Sequence, residues 1–233
     1  MYLDSKIFIS AEHKLSEIIK ENPLILLVVE NFGIFDIQKE ISIAEICHQN
    51  NINLALFIQI CNLHNGYYID PSTEYQKDDL ETIISYLQNT HHYYIQEKYP
   101  EILGDIKKLH LFSQLEILKI IEQYFEEYFD EVRDHMTYED QVAFPYFKSL
   151  IHQQKNTKKD YSTSTYTEHH TDIESKLDAL KELFIEHIHI NAPNKLRRKI
   201  LNDLYELEFE LYIHSTIEEL ILIPLVDKIE MGG

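Results

Sequence analysis

The clearest pattern along the chain is a set of four long segments in which apolar residues recur at steps of three and four. The segments run from about 78 to 108, 112 to 148, 168 to 190 and 195 to 227. This spacing places the apolar side chains on one face of an α-helix, so each segment predicts a helix with one buried stripe. The connections are short compared with the helices, which indicates an up-down four-helix bundle.

A weaker pattern precedes the four long helices. Residues 1–66 contain brief amphipathic segments that Pro23, Gly33 and an Asn-rich stretch interrupt. Proline and glycine end helices, so short helices are expected in this region. The prediction is therefore an all-α protein, with a small N-terminal helical domain at 1–66, a linker at 67–77 and the four-helix bundle at 78–233.

Charge and cysteine content narrow the range of partners. The formal net charge is −19, and a field of that sign repels phosphate backbones, which argues against nucleic-acid binding. No apolar run reaches the ~18 residues that a membrane helix needs. The two cysteines, Cys47 and Cys61, form no CxxC motif and indicate a reducing compartment. We therefore expect a cytoplasmic protein that binds neither nucleic acid nor membranes.

The buried stripe of the second long helix contains two polar residues, His135 and Glu139. Side chains four residues apart on a helix lie ~5–6 Å apart on one face, so these two should be neighbours in the core. The predicted stripe consists of Leu118, Ile121, Phe125, Tyr128, Val132, His135, Glu139, Val142 and Tyr146.

The fourth long helix repeats this arrangement with His214 and Glu218 on its apolar stripe. Each histidine is followed by glutamate after four residues and by proline after ten. The two segments read HMTYEDQVAFP and HSTIEELILIP. The sequence therefore contains a short internal repeat, H-x3-E-x5-P, on two different helices.

The other two helices each offer an inward histidine. His170 fits the apolar stripe of the third helix. In the first helix, the apolar positions before the adjacent pair His91 and His92 aim His91 inward, whereas those after the pair aim His92 inward. Periodicity leaves both choices open. The remaining histidines outside the helix stripes are expected at the surface or in loops: His13, His48, His64, His152 and His189.

A metal ion would explain why carboxylates and imidazoles lie in a core. Burying an unpaired carboxylate costs several kcal/mol, and two at one level also repel each other. A single buried His–Glu pair is more often a structural hydrogen bond. Two such pairs with inward histidines on the other helices instead indicate a metal centre, because imidazole and carboxylate suit iron, manganese or zinc. Bridging carboxylates are found in four-helix bundle cores.

At these residues the chain resembles the hemerythrin-like di-iron proteins, and most closely the RIC group, bacterial proteins for repair of iron centres damaged by nitric oxide and oxidants. The resemblance covers nearly the whole chain. The two H-x3-E segments look like the ligand segments of that family. The first and third ligand helices are matched by IISYLQNTHHYYIQEKYPEI and TEHHTDIESKLDAL.

The resemblance implies two non-haem iron ions with an oxo or hydroxo bridge. In that family, the spacing between the ligand histidine and a segment like YPEI favours His92 over His91. The family also has a further histidine ligand before the second helix, and His110 is the only candidate for it here. By this resemblance, the terminal ligands are His92, His110, His135, His170 and His214, and the carboxylates that bridge both irons are Glu139 and Glu218.

The N-terminal domain departs from the RIC group. Relatives have adjacent cysteines just after a segment like ENFGIFDI, where this chain has Phe35, Asp36 and Ile37. Cys47 and Cys61 occur later on helical patterns, where buried structural thiols are expected. Thiol chemistry in this domain is therefore not expected to follow the family.

The resemblance implies repair of damaged iron–sulfur clusters by iron donation, with iron–sulfur proteins or assembly factors as partners. The alternative is a module that binds or senses O2 or nitric oxide. An oxidase or peroxidase-like enzyme would need an open coordination position and a substrate pocket, for which the sequence shows no pattern. A homodimer is compatible with either function.

Overall fold

The computed structural model describes residues 6–151, 166, 174–188 and 194–231. Within these ranges the regular structure is helical, apart from an isolated antiparallel bridge between Lys14 and Ser42. The predicted all-α class is confirmed. None of the described helices is both long enough and apolar enough to cross a membrane.

Short helices form the N-terminal region, as the sequence predicts. Ser42 and Glu45 form a capping box at the start of one of them, and the Asn53 side chain accepts hydrogen bonds at the start of the next. These caps satisfy backbone N–H groups that have no partner in the first helical turn. The helices are Leu15–Glu21, Ile25–Asn31, Ile43–Gln49 and Leu54–His64.

Where the structure describes both sides of a helix end, that end of the long helix lies within a few residues of the predicted position. The first consists of Asp79–Tyr93, Tyr94–Lys98 and Tyr99–Ser113, and the second of Glu116–Tyr138, Glu139–Ala143 and Phe144–Ile151. The third is Glu174–Glu186, and the fourth consists of Lys195–Ile217, Glu218–Leu222 and Ile223–Glu230. Gln114, in the left-handed conformation with φ 53°, ends the first long helix before the second begins.

The described chain divides into two compact units that do not follow the chain order. The first contains residues 6–89, 147–151 and 215–231, and the second contains 90–146, 166, 174–188 and 194–214. The domain boundaries expected from the sequence stay a prediction.

The core of the second unit lies where its long helices pack. Tyr99–Ser113 packs against Glu116–Tyr138, and Glu174–Glu186 packs against the same helix. Burial of these side chains stabilises the unit by removing apolar surface from water. The cluster includes Tyr94, Tyr99, Ile102, Ile106, Leu118, Ile121, Phe125, Tyr128, Val132, Leu177, Leu180, Phe184, Leu204, Leu207 and Leu211.

Within the described residues, three of the long helices contain a five-residue π-helical turn, and a proline follows shortly after each turn. In each case the residue after the turn donates its N–H to the first carbonyl of the turn. The next residue is Pro100, Pro145 or Pro224. Proline has no N–H, so it interrupts the regular pattern of helix hydrogen bonds at its own position. An extra residue inserted just before the proline therefore costs few additional hydrogen bonds. The repeated proline of the two H-x3-E segments therefore marks the π-turns.

In the second long helix the π-turn inserts one extra residue and shifts the buried stripe by one position. The expectation that Val142 and Tyr146 continue the stripe is wrong for this reason. Val142 is 39% exposed, whereas Ala143 and Phe144 are fully buried. The same shift in the first long helix explains why the apolar positions before and after the histidine pair indicate different residues.

Candidate metal centre

Three buried side chains of the second unit converge on one small space: His91, Glu139 and His214. The Nε2 atom of His91 lies 3.2 Å from Nε2 of His214 and 3.3 Å from Oε2 of Glu139. One ligand atom from each residue lies within 4.8 Å of the others. The exposed fractions are 1%, 0% and 6%, so the group is closed to bulk water.

The three residues occupy related positions in their helices. His91 lies three residues before the π-turn Tyr94–Lys98, and Glu139 is the first residue of its π-turn. His214 lies in the last turn of Lys195–Ile217, four residues before the third π-turn. The proline-marked π-turns therefore occur at or just after each converging residue.

Each histidine ring also has a partner on its other nitrogen. Nδ1 of His91 lies 3.1 Å from Oδ1 of Asp140, and Nδ1 of His214 lies 2.8 Å from Oγ1 of Thr90. A histidine that binds a metal through one nitrogen commonly donates from the other to a carboxylate or another oxygen. Both Nε2 atoms are thereby the ones directed to the shared space.

Glu139 is held through its other oxygen. Its Oε1 accepts a hydrogen bond from the Tyr166 hydroxyl at 2.8 Å and lies 3.2 Å from Nε2 of His135. Its Oε2 has no aligned hydrogen-bond donor among the described residues. The carboxylate therefore presents one satisfied oxygen and one unsatisfied oxygen.

Aromatic rings enclose the two histidines. Phe144 stacks on His91 with ring centroids 5.6 Å apart and an interplanar angle of 13°. Tyr94 packs edge-on against His214 at 6.0 Å, and its hydroxyl donates to the backbone carbonyl of Glu210. These buried rings lower the local dielectric, which strengthens electrostatic interactions within the cluster.

The charges of this cluster depend on one another. Burial alone lowers the pKa of His91, but its contacts with Asp140 and Glu139 outweigh burial and raise that pKa to about 9. Burial alone raises the pKa of Glu139, but its contacts with His135 and His91 hold it well below the usual range. Without a metal ion, a protonated imidazole thus compensates the buried carboxylate.

The donor set fits a divalent metal ion. Two ring nitrogens 3.2 Å apart can share at most one proton, and Oε2 of Glu139 is a buried acceptor without an aligned donor. A cation would accept electron pairs from all three atoms at once. Two imidazole nitrogens and a carboxylate oxygen form a set that suits iron, zinc or manganese.

In the structure Glu139 and His214 belong to one cluster and His135 contacts Glu139, whereas the first helix contributes His91 and not the expected His92. His92 is exposed and His91 is buried, so the expectation that His92 points into the bundle is wrong. The π-turn that follows the pair adds one residue, and the spacing to the downstream apolar positions is therefore longer than in a regular helix.

His110 does not join the cluster. It is half-buried near the end of Tyr99–Ser113, and its Nδ1 lies 3.4 Å from Oε2 of Glu122. Along the helix axis it is roughly 28 Å from His91, at ~1.5 Å rise per residue. The expectation that His110 contributes to the same site is therefore wrong.

Two further expected ligands, His170 and Glu218, are not part of the described cluster. His170 lies outside the described residues. Glu218 is fully buried and is the first residue of its π-turn, the position that Glu139 occupies in its own helix, and it belongs to the first compact unit. His64, expected at the surface, is buried in the N-terminal region.

Sequence reasoning missed Thr90, Asp140 and Tyr166. In a regular helix a residue next to an inward residue points well away from it, so Thr90 and Asp140 did not fit the stripes. Tyr166 lies in a polar segment without periodicity. Thr90 and Asp140 could have been suspected because each is a polar residue directly next to a candidate ligand in the sequence. No such sequence feature points to Tyr166.

The helical fold and the buried cluster of histidine and carboxylate are typical of metal-binding helical proteins. Residues 82–226 match the model of the hemerythrin HHE cation binding domain, and the chain belongs to this family. Domains of this family bind cations, typically iron. A search of curated proteins finds no match to the chain.

Proposed function

We propose that the protein is a non-haem di-iron protein. The convergence of His91, Glu139 and His214 supports this, together with the repeated H-x3-E segments and membership of the family. His91 replaces His92 in the proposed ligand set because it is the buried member of the pair. The proposed terminal ligands are His91, His135, His170 and His214, and the proposed bridging carboxylates are Glu139 and Glu218.

The observation that carries this proposal is the unsatisfied Oε2 of Glu139 beside two facing imidazole nitrogens. Bound iron would supply a redox-active centre that can also bind small gases. The chain itself excludes water from the centre through Phe144 and Tyr94 and keeps the carboxylate of Glu139 ionised.

The function we propose is repair of iron–sulfur clusters damaged by nitrosative or oxidative stress, through iron donation to cluster proteins or assembly factors. The resemblance to the RIC group supports this choice. The thiols of this chain argue for donation from the metal centre rather than thiol chemistry. Burial raises the pKa of Cys47 to about 12 and that of Cys61 well above its usual range, so both thiols stay protonated at neutral pH.

The alternative function is reversible binding or sensing of O2 or nitric oxide. The closed apolar surroundings of the cluster favour it, because Phe144 and Tyr94 pack directly on the ligand rings. A site enclosed in this way admits a diatomic gas more easily than a larger substrate.

One set of measurements separates these functions. Freshly purified protein from the native host should contain two irons per chain, with the Mössbauer spectrum of a coupled ferric pair. Iron-loaded protein should restore activity to an iron–sulfur enzyme damaged by nitric oxide in extract. A reproducible content of one zinc per chain would refute the di-iron centre. Reversible gas binding without repair would replace the first function with the second.

A matched pair of variants shows whether Glu218 belongs to the centre. Glu218→Gln keeps the size of the side chain and removes its charge, whereas Glu219→Gln makes the same change at an exposed neighbour. Glu218→Gln should lose iron, and Glu219→Gln should retain it. Equal iron contents would remove Glu218 from the proposed ligand set.

A further inference from the structure

Each residue of the converging cluster is held by a partner on the atom that faces away from the shared space. The partners come from three different parts of the second unit, and each contacts one cluster residue. The contacts are Asp140 with Nδ1 of His91, Thr90 with Nδ1 of His214, and Tyr166 with Oε1 of Glu139. The three atoms left over, two Nε2 and one Oε2, are those that converge.

We propose that Asp140, Thr90 and Tyr166 are positioning residues that preset which atoms of His91, His214 and Glu139 bind the metal. This inference rests on the proposed function of the cluster as a metal centre. It assigns roles to three side chains that are not themselves ligands in the proposed set.

Asp140 faces the ring nitrogen of His91 that points away from the shared space. An ionised carboxylate favours a proton on the ring nitrogen that faces it, and Oδ1 of Asp140 lies 3.1 Å from Nδ1 of His91, although the two atoms are not aligned as a regular hydrogen bond. The side chain of Asp140 is 33% exposed, whereas that of His91 is 1% exposed. Asp140 therefore contributes negative charge to a buried imidazole while keeping part of its own hydration.

Thr90 connects two helices through His214. Its hydroxyl oxygen lies 2.8 Å from Nδ1 of His214, and it precedes His91 directly in the chain. One turn of the first long helix thus supplies both a proposed ligand and the partner of a ligand on another helix. If His214 donates from Nδ1 to Thr90, its Nε2 carries the lone pair that a metal needs.

Tyr166 restricts the carboxylate of Glu139. Its hydroxyl donates to Oε1 at 2.8 Å, and its side chain is 1% exposed. A buried phenol that is hydrogen-bonded to one oxygen limits rotation of the carboxylate. The other oxygen, Oε2, then stays directed to the two imidazole nitrogens.

The first test uses metal-free protein and does not depend on metal binding. Long-range ¹H–¹⁵N correlation spectra of ¹⁵N-histidine-labelled protein report which ring nitrogen carries the proton. We expect Nδ1–H on His214, with no proton on its Nε2. Thr90→Val should release that preference on His214, and Thr90→Ser should restore it. An Nε2–H tautomer of His214 in the wild type would overturn the role of Thr90.

The second test measures Co²⁺ affinity by competition with a chromophoric chelator. Asp140→Ala, Thr90→Val and Tyr166→Phe should each weaken binding by about 10–100-fold, as loss of a metal ligand's hydrogen-bond partner typically does. Asp140→Asn and Thr90→Ser should recover part of the affinity. Asp134→Ala, a change at an exposed carboxylate of the same helix, should leave it unchanged.

The outcomes of the two tests distinguish the positioning roles from the metal centre itself. Wild-type affinity in all three variants, with helical content retained, would overturn the positioning roles. Failure of the wild type to bind Co²⁺ or iron would instead refute the metal centre, and the tautomer spectra would still decide the orientation of the rings. If an apolar variant fails to fold, Asp140→Asn, which keeps the size of the side chain and removes its charge, gives the decisive affinity and should bind Co²⁺ more weakly than the wild type.

Discussion

Among the described residues, the second unit contains two groups of three side chains that could bind a metal ion, and the groups differ in what compensates their charge. One is the cluster of His91, Glu139 and His214. The other consists of Glu101, Asp105 and Asp203, whose carboxylates lie 2.6, 2.8 and 2.8 Å from the ammonium group of Lys199. The comparison shows that ligand types and proximity alone do not define a metal site.

The acidic group already has its cations. Lys108 contacts Asp105 at 2.6 Å, and Lys98 contacts Asp203 at 3.2 Å, in addition to the shared Lys199. Its carboxylates are therefore satisfied as an ion-pair network between helices. Among the described residues, no lysine or arginine contacts His91 or Glu139, so a metal ion could supply the positive charge that lysines supply in the acidic group.

The largest expected effect is the loss of iron from Glu139→Gln. The substitution removes the negative charge and replaces one carboxylate oxygen with an amide nitrogen that cannot bind a cation. At least one iron should be lost per chain, measured by metal analysis of purified protein. Glu131→Gln changes an exposed carboxylate of the same helix and should leave the iron content as in the wild type. Full retention of iron by Glu139→Gln would contradict its role as a ligand.

Removal of the metal should lower the melting temperature. A ligand that binds only the folded state at 100 times its dissociation constant stabilises that state by about 2.7 kcal/mol. Thermal unfolding of chelated and iron-loaded protein measures the difference. An unchanged melting temperature after complete chelation would show that metal binding and folding of this unit are independent.

A smaller effect on stability is expected from Lys199→Met in the acidic group. Three carboxylates would lose their shared cation, although Lys108 and Lys98 would remain. We expect the free energy of unfolding to fall by roughly 1–2 kcal/mol, a value reduced because Lys199 is partly exposed. Urea unfolding measures this loss, and iron content should not change. Loss of iron from Lys199→Met would break the distinction between the two groups.

The acidic group should also make stability depend on pH at low pH. Burial alone raises the pKa of Asp105, but Lys108 and Lys199 outweigh burial and lower it. A carboxyl group whose pKa is depressed in the folded state stabilises that state above its unfolded pKa, and this contribution is lost as pH falls through the folded pKa. Stability should therefore decrease below about pH 4.

Asp105→Asn isolates this contribution. Urea unfolding of the wild type and of Asp105→Asn at several pH values should give a shallower loss of stability for the variant at acid pH. Parallel curves for the two proteins would show that the ion pairs of Asp105 add nothing measurable.

Substitution of the two cysteines, a third type of metal-ligand residue, should have the smallest effect on iron content. Cys47 and Cys61 are buried, and burial raises the pKa of both. They should react with a thiol reagent only after unfolding, and Cys47→Ala with Cys61→Ala should leave the iron content unchanged. Rapid labelling of native protein would contradict this assignment.

The amino-acid sequence by itself determined the helices and most of the inward residues. Periods of three and four depend only on local geometry, and the helix ends that the structure describes on both sides lie close to their predicted positions. The same periodicity found the converging residues Glu139 and His214 and the adjacent His135. The repeated H-x3-E pattern also identified the chemistry, because it placed carboxylates where an apolar side chain was expected.

The tertiary structure decided the details that depend on one inserted residue or on distant segments. A π-turn changes the face of every residue beyond it, so a regular period could not choose between His91 and His92 or place Val142 correctly. Tyr166 reaches Glu139 from a segment without a pattern of its own, and Thr90 meets His214 across 124 positions of the chain. Such contacts follow from packing between helices, which local periodicity does not encode.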